Sequence, residues 1–502
     1  MDDLLSRRVR ASPDATALVD SQSEREWTFA DLDDAVDATA CRLAELGVTA
    51  DDRVGILMET RPAFVRLVFA VARLGAVVVP LNARLAPSEL VAQREAADLI
   101  CLVCEGDTEA DALAMAEPVP VVSIDKPQSA AVGHLPSVDT DSTTVTPVVR
   151  DPTDPVALMF TSGTTGAPKA VRLTPRNFLA SATASAFRLG VDPDDRWLCP
   201  LSMYHMGGLS VVVRSALYGT TAVLTRGFDA DTALDALHEY DCTGVSLVPT
   251  MLKRLLAEGD LPDSLRFVLV GGAPTPRDLV ETCAERDVPV YPSYGMTEAT
   301  SQIATATPRE AFEEPGTVGR PLLPTEVTVV DDGSPLPAGE VGELVVAGPT
   351  VTPGYDDPDQ TAEAFGPYGF HTGDVGYVDE AGKIHVLNRR SDRIITGGEN
   401  VHPGEVVDVL RSHPDVETAA VVGVEDPEWG ERVAALVVPA EDTESADESG
   451  LTADDVRAYC RDRLAGYKVP RTVVFVDSLP RTASGTVDRA AARERVAQAT
   501  DL

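Results

Sequence analysis

The stretch that most limits what this chain can fold into is an apolar run, Val156 to Phe160, that passes directly into Thr161-Ser162-Gly163-Thr164-Thr165-Gly166-Ala167-Pro168-Lys169. The apolar residues read as a buried strand, and the chain must leave the sheet where they end. It leaves through hydroxyls, glycines and a lysine. Glycine lets backbone approach a ligand closely and take positive φ. Successive N–H groups in such a loop form an anion-binding concavity, to which hydroxyls and an ammonium add donors. The chemistry fits a cradle for a polyphosphate. No Gly-Lys-Ser/Thr opens a helix at the Walker A spacing, so this is a different loop. The competing reading is a polar surface turn, which is what most Ser/Thr/Gly clusters are. The buried strand before it and Lys169 after it weigh against the turn.

Around this stretch, helix and strand signals alternate. Thr28 is placed to cap a helix through Asp31 to Val36. Val54–Met58 and Ala76–Leu81 read as strands, with a mostly apolar, buried helix from Pro62 to Leu74 between them. Such alternation predicts an α/β domain on a parallel sheet. Gln128 to Pro155, rich in Ser, Thr, Pro and Asp, reads as an exposed connection. A second α/β run follows: a helix over Arg176–Leu189, strands over Ala222–Leu224, Gly244–Val248, Arg266–Val270 and Val288–Tyr291, and helices over Ala230–Tyr240 and Met251–Ala257. Glu326–Val330 and Gly342–Val346 then alternate like antiparallel strands.

The chain has 502 residues. Single cores stop growing near ~250–300 residues, so more than one domain is expected. Composition shifts after Leu387, at the polar knot Asn388 to Arg393. The boundary is placed there, giving an N-terminal domain over 1–390 and a C-terminal one over 391–502. The second is expected to be a small α/β unit. Its helices are Pro403–Arg411 and Ala453–Leu464, its strands Thr418–Val422, Val433–Val438 and Thr472–Val476, and Glu441–Gly450 is an acidic, solvated loop.

Several short groups could carry chemistry. His205 lies between apolar residues ahead of Gly207-Gly208 and could line a pocket, although an isolated histidine is more often a satisfied core or cap residue. Gly271-Gly272-Ala273-Pro274 ends a strand where a flat ligand can approach backbone. Ser293-Tyr294-Gly295-Met296-Thr297-Glu298 packs an aromatic, hydroxyls and a carboxylate together, and a carboxylate beside a polyphosphate is the usual way to hold Mg²⁺. Asp374, read as following a tight turn in His371-Thr372-Gly373, could accept both hydroxyls of a ribose, or be an ordinary Asx-turn acid.

The formal charge of −38 excludes a nucleic-acid footprint, which needs basic patches. Only Lys126, Lys169, Lys253, Lys383 and Lys468 are lysines, so the other 37 of the 42 basic residues are arginines. Self-repulsion of this size is screened at about 1 M salt, where the Debye length is roughly 3 Å, and a halophilic source is expected. No apolar run suffices to span a bilayer and the first residues are not a signal peptide, so a cytoplasmic protein is expected. Seven scattered cysteines argue against a disulfide framework. Cys101 and Cys104 form a CxxC in an apolar strand-like stretch and read as core cysteines.

Taken in order, TSGTTGAPK, YHMGG, GGAP, SYGMTE, GE, HTGD, RRSDRIITGGEN, YKVP and LPRTASG resemble the adenylate-forming acyl-CoA synthetase superfamily over nearly the whole chain. Ser301-Gln302-Ile303, Leu387 to Asp392 and Gly397 to Pro403 point to its o-succinylbenzoate–CoA ligase branch, which serves menaquinone biosynthesis. The resemblance implies an α/β fold with a large N-terminal multi-sheet domain, flanking helices and a small mobile C-terminal α/β lid domain. It implies an enzyme that uses ATP, Mg²⁺ and CoA on an aromatic carboxylic acid, without nucleic-acid partners. It leaves open whether the chain forms a homo-oligomer.

By the same resemblance, Thr161, Ser162, Gly163, Thr164, Thr165, Gly166 and Lys169 hold phosphates. Gly271, Gly272, Ala273, Tyr294 and Gly295 frame adenine, Thr297 meets the α-phosphate and Glu298 the Mg²⁺. Asp374 and Arg389 bind ribose, and Ser391 and Asp392 mark the hinge. Gly397, Gly398 and Lys468 face CoA. His205, Ser301 and Gln302 face the acid, His205 also stabilising an oxyanion.

One position departs from the pattern. The family's terminal motif carries a lysine that bridges the attacking carboxylate and the α-phosphate, and here that position is Thr486. Three readings follow: the substitution was introduced; it is natural, with Lys468, Arg481 or Arg489 supplying the cation; or adenylation is lost. The readings kept beside the ligase are therefore another aromatic or fatty acyl-CoA ligase and a non-catalytic nucleotide-binding homologue.

Overall fold

The computed structural model describes residues 3–135, 145–162, 168–392, 394–396, 399–427, 429–440, 451–482 and 487–500, with backbone alone at 162, 391, 400 and 500. It is a mixed α/β protein. A seven-stranded sheet has the order Gly133–His134, Val121–Ser123, Cys101–Cys104, Arg53–Leu57, Val77–Leu81, Ala157–Ser162, Pro168–Leu173. Its pairs are parallel except the last, which is antiparallel. An eight-stranded sheet runs Ser301–Thr305, Val290–Met296, Phe267–Val270, Gly244–Leu247, Arg196–Cys199, Thr221–Leu224, Thr16–Asp20, Arg25–Thr28. Its middle strands are parallel and both edges antiparallel. A six-stranded sheet contains Glu326–Asp331, Gly342–Ala347, Gly369–Val378 and Ile384–Arg389, and a five-stranded one contains Ile394–Thr396, Val416–Asp426, Gly430–Pro439 and Thr472–Phe475.

The chain divides into two compact units. One comprises Met1–Thr328, Val345–His371 and Ala381–Ile384; the other comprises Val329–Leu344, Thr372–Glu380 and His385–Leu502.

The first unit is organised by its helices as much as by its sheets. Thr28 caps the helix Phe29–Glu45 through a reciprocal box, its Oγ1 accepting from the Asp31 N–H at 3.1 Å while Asp31 accepts from the Thr28 N–H at 3.0 Å. The helix Pro62–Arg73 opens on a proline and is buried on nearly every side, as an apolar run of that length requires. Val54, Ile56 and Ala157 of the seven-stranded sheet share one apolar core with Leu18, Trp197 and Leu224 of the eight-stranded sheet. Cys101 faces that core and Cys104 the next, on opposite sides of one strand, so they cannot share an ion. Burial pushes both thiols up to about 12.

Several elements differ from the sequence reading, among them these three. The strand read as Val288–Tyr291 runs over Val290–Met296 and so carries most of the SYGMTE hexad within the sheet. Asp374 follows a bend within a strand rather than a turn between elements. It lies inside the ten-residue strand Gly369–Val378, where Thr372 Oγ1 accepts the Asp374 N–H at 3.0 Å and Gly373, at φ +71°, absorbs the kink. The helix Arg489–Thr500 was not read from sequence at all. Its buried contacts are Ala492 and Val496, too few for a periodic signal. The acidic loop read at Glu441–Gly450 lies outside the described residues.

Candidate active site

In the first unit, the strand Ala157–Ser162 pairs antiparallel with Pro168–Leu173, setting Thr161 opposite Lys169 and Ser162 opposite Pro168. The two ends of the segment read as a phosphate cradle are thus paired antiparallel at the edge of a mostly parallel sheet. Gly163, Thr164, Thr165 and Gly166 lie outside the described residues. Lys169 projects its Nζ over the ring of Tyr355, 5.1 Å from the centroid. The Tyr355 Oη donates to Glu298 Oε1 at 2.9 Å. One tyrosine therefore joins the phosphate-loop lysine to the acid read as the metal ligand. Nothing in the sequence reading singled it out: Val351-Thr352-Pro353-Gly354-Tyr355-Asp356 has no periodicity, and its only signal is an aromatic directly after glycine.

Glu298 sits on a short 3₁₀ turn, Thr297–Ala299, with its side chain largely buried. Its backbone carbonyl accepts the Thr352 N–H at 2.7 Å. The local chain forces this turn. Thr300 and Ser301 adopt φ of 51° and 97°, a left-handed pair that reverses direction at once. The returning strand brings Ser301 O to 1.7 Å from where a Cβ of Gly295 would stand, so only glycine fits there. The register shifts between Tyr294 and Gly295 accordingly. One Glu298 oxygen is taken by Tyr355. An oxygen-only ligand beside a lysine-bearing loop suits a hard cation shared with phosphate, so the residues fit Mg²⁺.

Gly271, Gly272 and Ala273 follow the neighbouring strand Phe267–Val270. Gly271 packs against Ser293, whose carbonyl would be 3.2 Å from an added Cβ, and Gly272 has φ +78°. Backbone thus runs close beside the strand that bears half-buried Tyr294. Of the residues read for the acid, Gln302 is buried; its Nε2 donates to Thr305 Oγ1 at 2.8 Å and its Oε1 has no partner among the described residues. Ser301 pairs with Met296 across the hairpin.

His205 stands at the N-terminus of the helix Met206–Tyr218. Gly208 is required there, since an added Cβ would lie 2.5 Å from Ser202 O. Thr60 pins the same loop by accepting the Met203 N–H at 2.9 Å and donating to Leu201 O at 3.2 Å. The His205 ring meets Tyr204 edge-on at 4.8 Å between centroids. It is open to solvent on one side and crowded by protein on the others; desolvation first, then the Arg84 charge, hold its pKa below the ordinary histidine value.

The second unit gathers its own group. Arg389 Nε pairs with buried Asp374 Oδ1 at 2.7 Å, and its Nη1 donates to Thr372 O at 3.0 Å. Glu343 accepts the Gly373 N–H at 3.1 Å and pairs with Arg390 at 3.0 Å, a role the sequence reading did not assign it. Asp392 pairs with Arg489 at 2.9 Å, and burial pushes the Asp392 carboxyl upward against that pull. Lys468 is held by both oxygens of Glu405, at 2.6 and 2.7 Å. Two of the three cations read as substitutes at position 486, Lys468 and Arg489, thus already face carboxylates. The Ser391 side chain, Gly397, Gly398 and Thr486 lie outside the described residues.

Comparison with known proteins identifies the arrangement. Residues 5–356 match the AMP-binding enzyme family and residues 405–486 its C-terminal domain. The chain belongs to the AMP-binding enzyme family. A 2-succinylbenzoate–CoA ligase of Geobacillus kaustophilus is 42% identical over 492 residues, covering 96% of each chain, and one of Bacillus mycoides is 38% identical over 99% of each. Among solved structures, o-succinylbenzoate CoA synthetase of Bacillus subtilis in complex with its acyl-adenylate intermediate superposes with a TM-score of 0.89 at 35% identity, covering 98% of both chains. The same enzyme with ATP and magnesium ion gives 0.86, covering 98% of this chain and 99% of that one. The family's architecture of a large N-terminal domain and a smaller C-terminal one is the fold of this chain, and it is an enzyme of the AMP-forming ligase type. Among the described residues no helix is long and apolar enough to cross a membrane.

Proposed function

We infer that this enzyme joins o-succinylbenzoate to CoA through an acyl-adenylate. The observation that carries the reading is end-to-end likeness, at 38–42% identity over at least 96% of the chain, to 2-succinylbenzoate–CoA ligases. In the first half-reaction a carboxylate oxygen of the acid attacks the α-phosphorus of ATP and pyrophosphate leaves. In the second, the CoA thiolate attacks the acyl carbon and AMP leaves.

The chain's own residues divide this work. Thr161, Ser162 and Lys169 hold the β- and γ-phosphates, the ammonium offsetting charge as pyrophosphate departs. Glu298 holds Mg²⁺, which when bound neutralises phosphate charge. Gly271, Gly272 and Ala273 let adenine lie against backbone beside Tyr294, and Thr297 meets the α-phosphate. Asp374 accepts from the ribose hydroxyls, with Arg389 orienting it. His205, held neutral, hydrogen-bonds the reacting carboxyl oxygen. Ser301 and Gln302 meet the body of the acid. Ser391 and Asp392 act as the hinge between residues 1–390 and 391–502, and Gly397, Gly398 and Lys468 serve CoA.

This reading puts the enzyme in the cytoplasm with its ATP and CoA, and the acidic, lysine-poor surface supports a halophilic setting. The test is CoA-thioester formation in molar salt with o-succinylbenzoate, benzoate and a fatty acid. Turnover of o-succinylbenzoate above the other two supports the assignment. Turnover of only benzoate or the fatty acid moves the chain to a sibling ligase, and no turnover of any acid overturns the catalytic reading.

A further inference from the structure

Lys169 and Glu298 come from different elements of the first unit, a hairpin of the seven-stranded sheet and a turn at the end of the eight-stranded one. Two charged groups that must serve one polyphosphate need a shared reference, because each alone is free to swing. The lysine is a point charge on a flexible stem, and a carboxylate has two equivalent oxygens.

The segment Thr352–Asp356 supplies that reference. It adds itself to the hairpin as a further edge: Tyr355 bridges Val171, the Asp356 N–H donates to Ala170 O at 2.8 Å, and the Arg172 N–H donates to Gly354 O at 3.1 Å. It is locked in place by two threonines. Thr352 Oγ1 accepts the Gly354 N–H at 3.0 Å, and Thr361 Oγ1 accepts the Tyr355 N–H at 2.9 Å. Tyr355 is only 3% exposed, so its ring cannot rotate away. From this fixed ring come two contacts of different kinds. The face receives Lys169 Nζ at 5.1 Å, and the hydroxyl donates to Glu298 Oε1 at 2.9 Å.

We propose that Tyr355 is a positioning residue for the ATP and Mg²⁺ site, setting the Lys169 ammonium through its ring and the Glu298 carboxylate through its hydroxyl. The proposal rests on the reading of Lys169 as a phosphate ligand and Glu298 as the Mg²⁺ ligand. With Oε1 committed to the tyrosine, the carboxylate is held in one orientation and its remaining acceptor capacity faces one ion. The two contacts are separable. Tyr355→Phe removes the hydroxyl and keeps the ring; Tyr355→Leu removes both.

The experiment measures ATP binding to the full chain by calorimetry, with and without Mg²⁺, alongside steady-state kinetics. Tyr355→Phe is expected to raise the Mg²⁺ concentration for half-saturation about tenfold, the worth of one hydrogen bond to a charged group. Its metal-free ATP binding stays at the wild-type value. Tyr355→Leu weakens metal-free ATP binding as well. KM for the acid is unchanged in both. A merely structural tyrosine would lower the unfolding midpoint without moving the Mg²⁺ dependence of Tyr355→Phe, and that result overturns the proposal. Glu298→Gln separates the two levels of argument. If it leaves Mg²⁺ dependence at the wild-type value, the assignment of Glu298 itself fails. If it shifts that dependence and Tyr355→Phe does not, the positioning role alone fails. In the Glu298→Gln background, Tyr355→Phe is expected to add no further change in Mg²⁺ dependence.

Discussion

Gly295→Ala is the substitution whose cost can be worked most directly from the coordinates. An alanine Cβ there would stand 1.7 Å from Ser301 O, 2.7 Å from Ser301 C and 3.0 Å from Gln302 Cα, and all three are backbone atoms that no rotamer can move. Real Cβ atoms essentially never come under 3.0 Å, so the two strands must part by about 1.3 Å, the shortfall between 3.0 and 1.7 Å. Parting them strains the pairs Gly295–Gln302 and Met296–Ser301. At about 1 kcal/mol per hydrogen bond, the loss is roughly 2–3 kcal/mol of unfolding free energy. Glu298 lies three residues beyond Gly295 on the same chain, and a displacement of about 1 Å at a reacting site costs on the order of 10²-fold in rate. The assays are a urea midpoint and acid-dependent pyrophosphate release. Gly272→Ala is the control: its φ of +78° is strained for alanine, but its nearest neighbour is Val248 Cγ1 at 3.4 Å, so about 1 kcal/mol is expected. If Gly295→Ala kept the wild-type midpoint and rate, the steric argument for this turn would be wrong.

Arg73, 1% exposed, pairs with Asp3, Asp33 and Asp37, and Arg73→Met should cost about 3–5 kcal/mol by stranding those carboxylates. Stranded buried acids bind protons more tightly folded than unfolded, so the variant should regain stability as pH falls from 7 towards 5; urea midpoints across that range check the sign. Cys101, Cys104, Cys199, Cys242 and Cys283 are pushed up to about 12 and Cys460 to about 11, all by burial, while Cys41 alone is not buried. A thiol reagent at pH 8 should therefore label one cysteine quickly and the other six only on unfolding. With its pKa lowered, His205 stays neutral where an unfolded histidine takes a proton; its contribution to stability falls as pH drops through about 6.5, and the acid limb of thioester formation should lie below that value and vanish in His205→Ala.

What could be read in advance follows from how local each signal is. A capped helix such as Phe29–Glu45, an apolar helix opened by proline such as Pro62–Arg73, and short apolar strands such as Val77–Leu81 announce themselves within a dozen residues. So do the charged members of the site, because a lysine after a glycine-rich loop or a glutamate after Gly-Met-Thr is unusual on its face. What stayed hidden is made by pairs far apart in sequence. Tyr355 meets Glu298 across 57 positions, Glu405 meets Lys468 across 63, and Glu343 meets Gly373 across 30. No window of sequence contains both partners, and each partner alone looks ordinary. Asp374 shows the converse error. Thr-Gly-Asp reads as a turn that ends an element, but the strand continues through it, with the Thr372 hydroxyl taking the Asp374 amide in a local bend.

The scarcity of lysine sharpens the question at position 486. Most cations that grip carboxylates here are arginines, whose planar fork binds two oxygens at once, as Arg53 does on Asp356 with both bonds at 2.9 Å. Lysine is a slimmer point charge, and it stands over the Tyr355 ring at Lys169, against Glu314 at Lys383 and against Glu405 at Lys468. A bridge between an attacking carboxylate and a phosphate calls for that slim charge, and Thr486 does not supply it. Lys468 and Arg489 are not idle substitutes, since each would have to leave Glu405 or Asp392 first. Thr486→Lys should therefore raise acid-dependent pyrophosphate release, on the order of 10²-fold if the new ammonium reaches the developing charge, and leave the thioester-forming step from supplied acyl-adenylate at its original rate. An unchanged first half-reaction would mean that another cation already acts there, and Arg481→Ala, which should then abolish adenylation, is the variant that decides it.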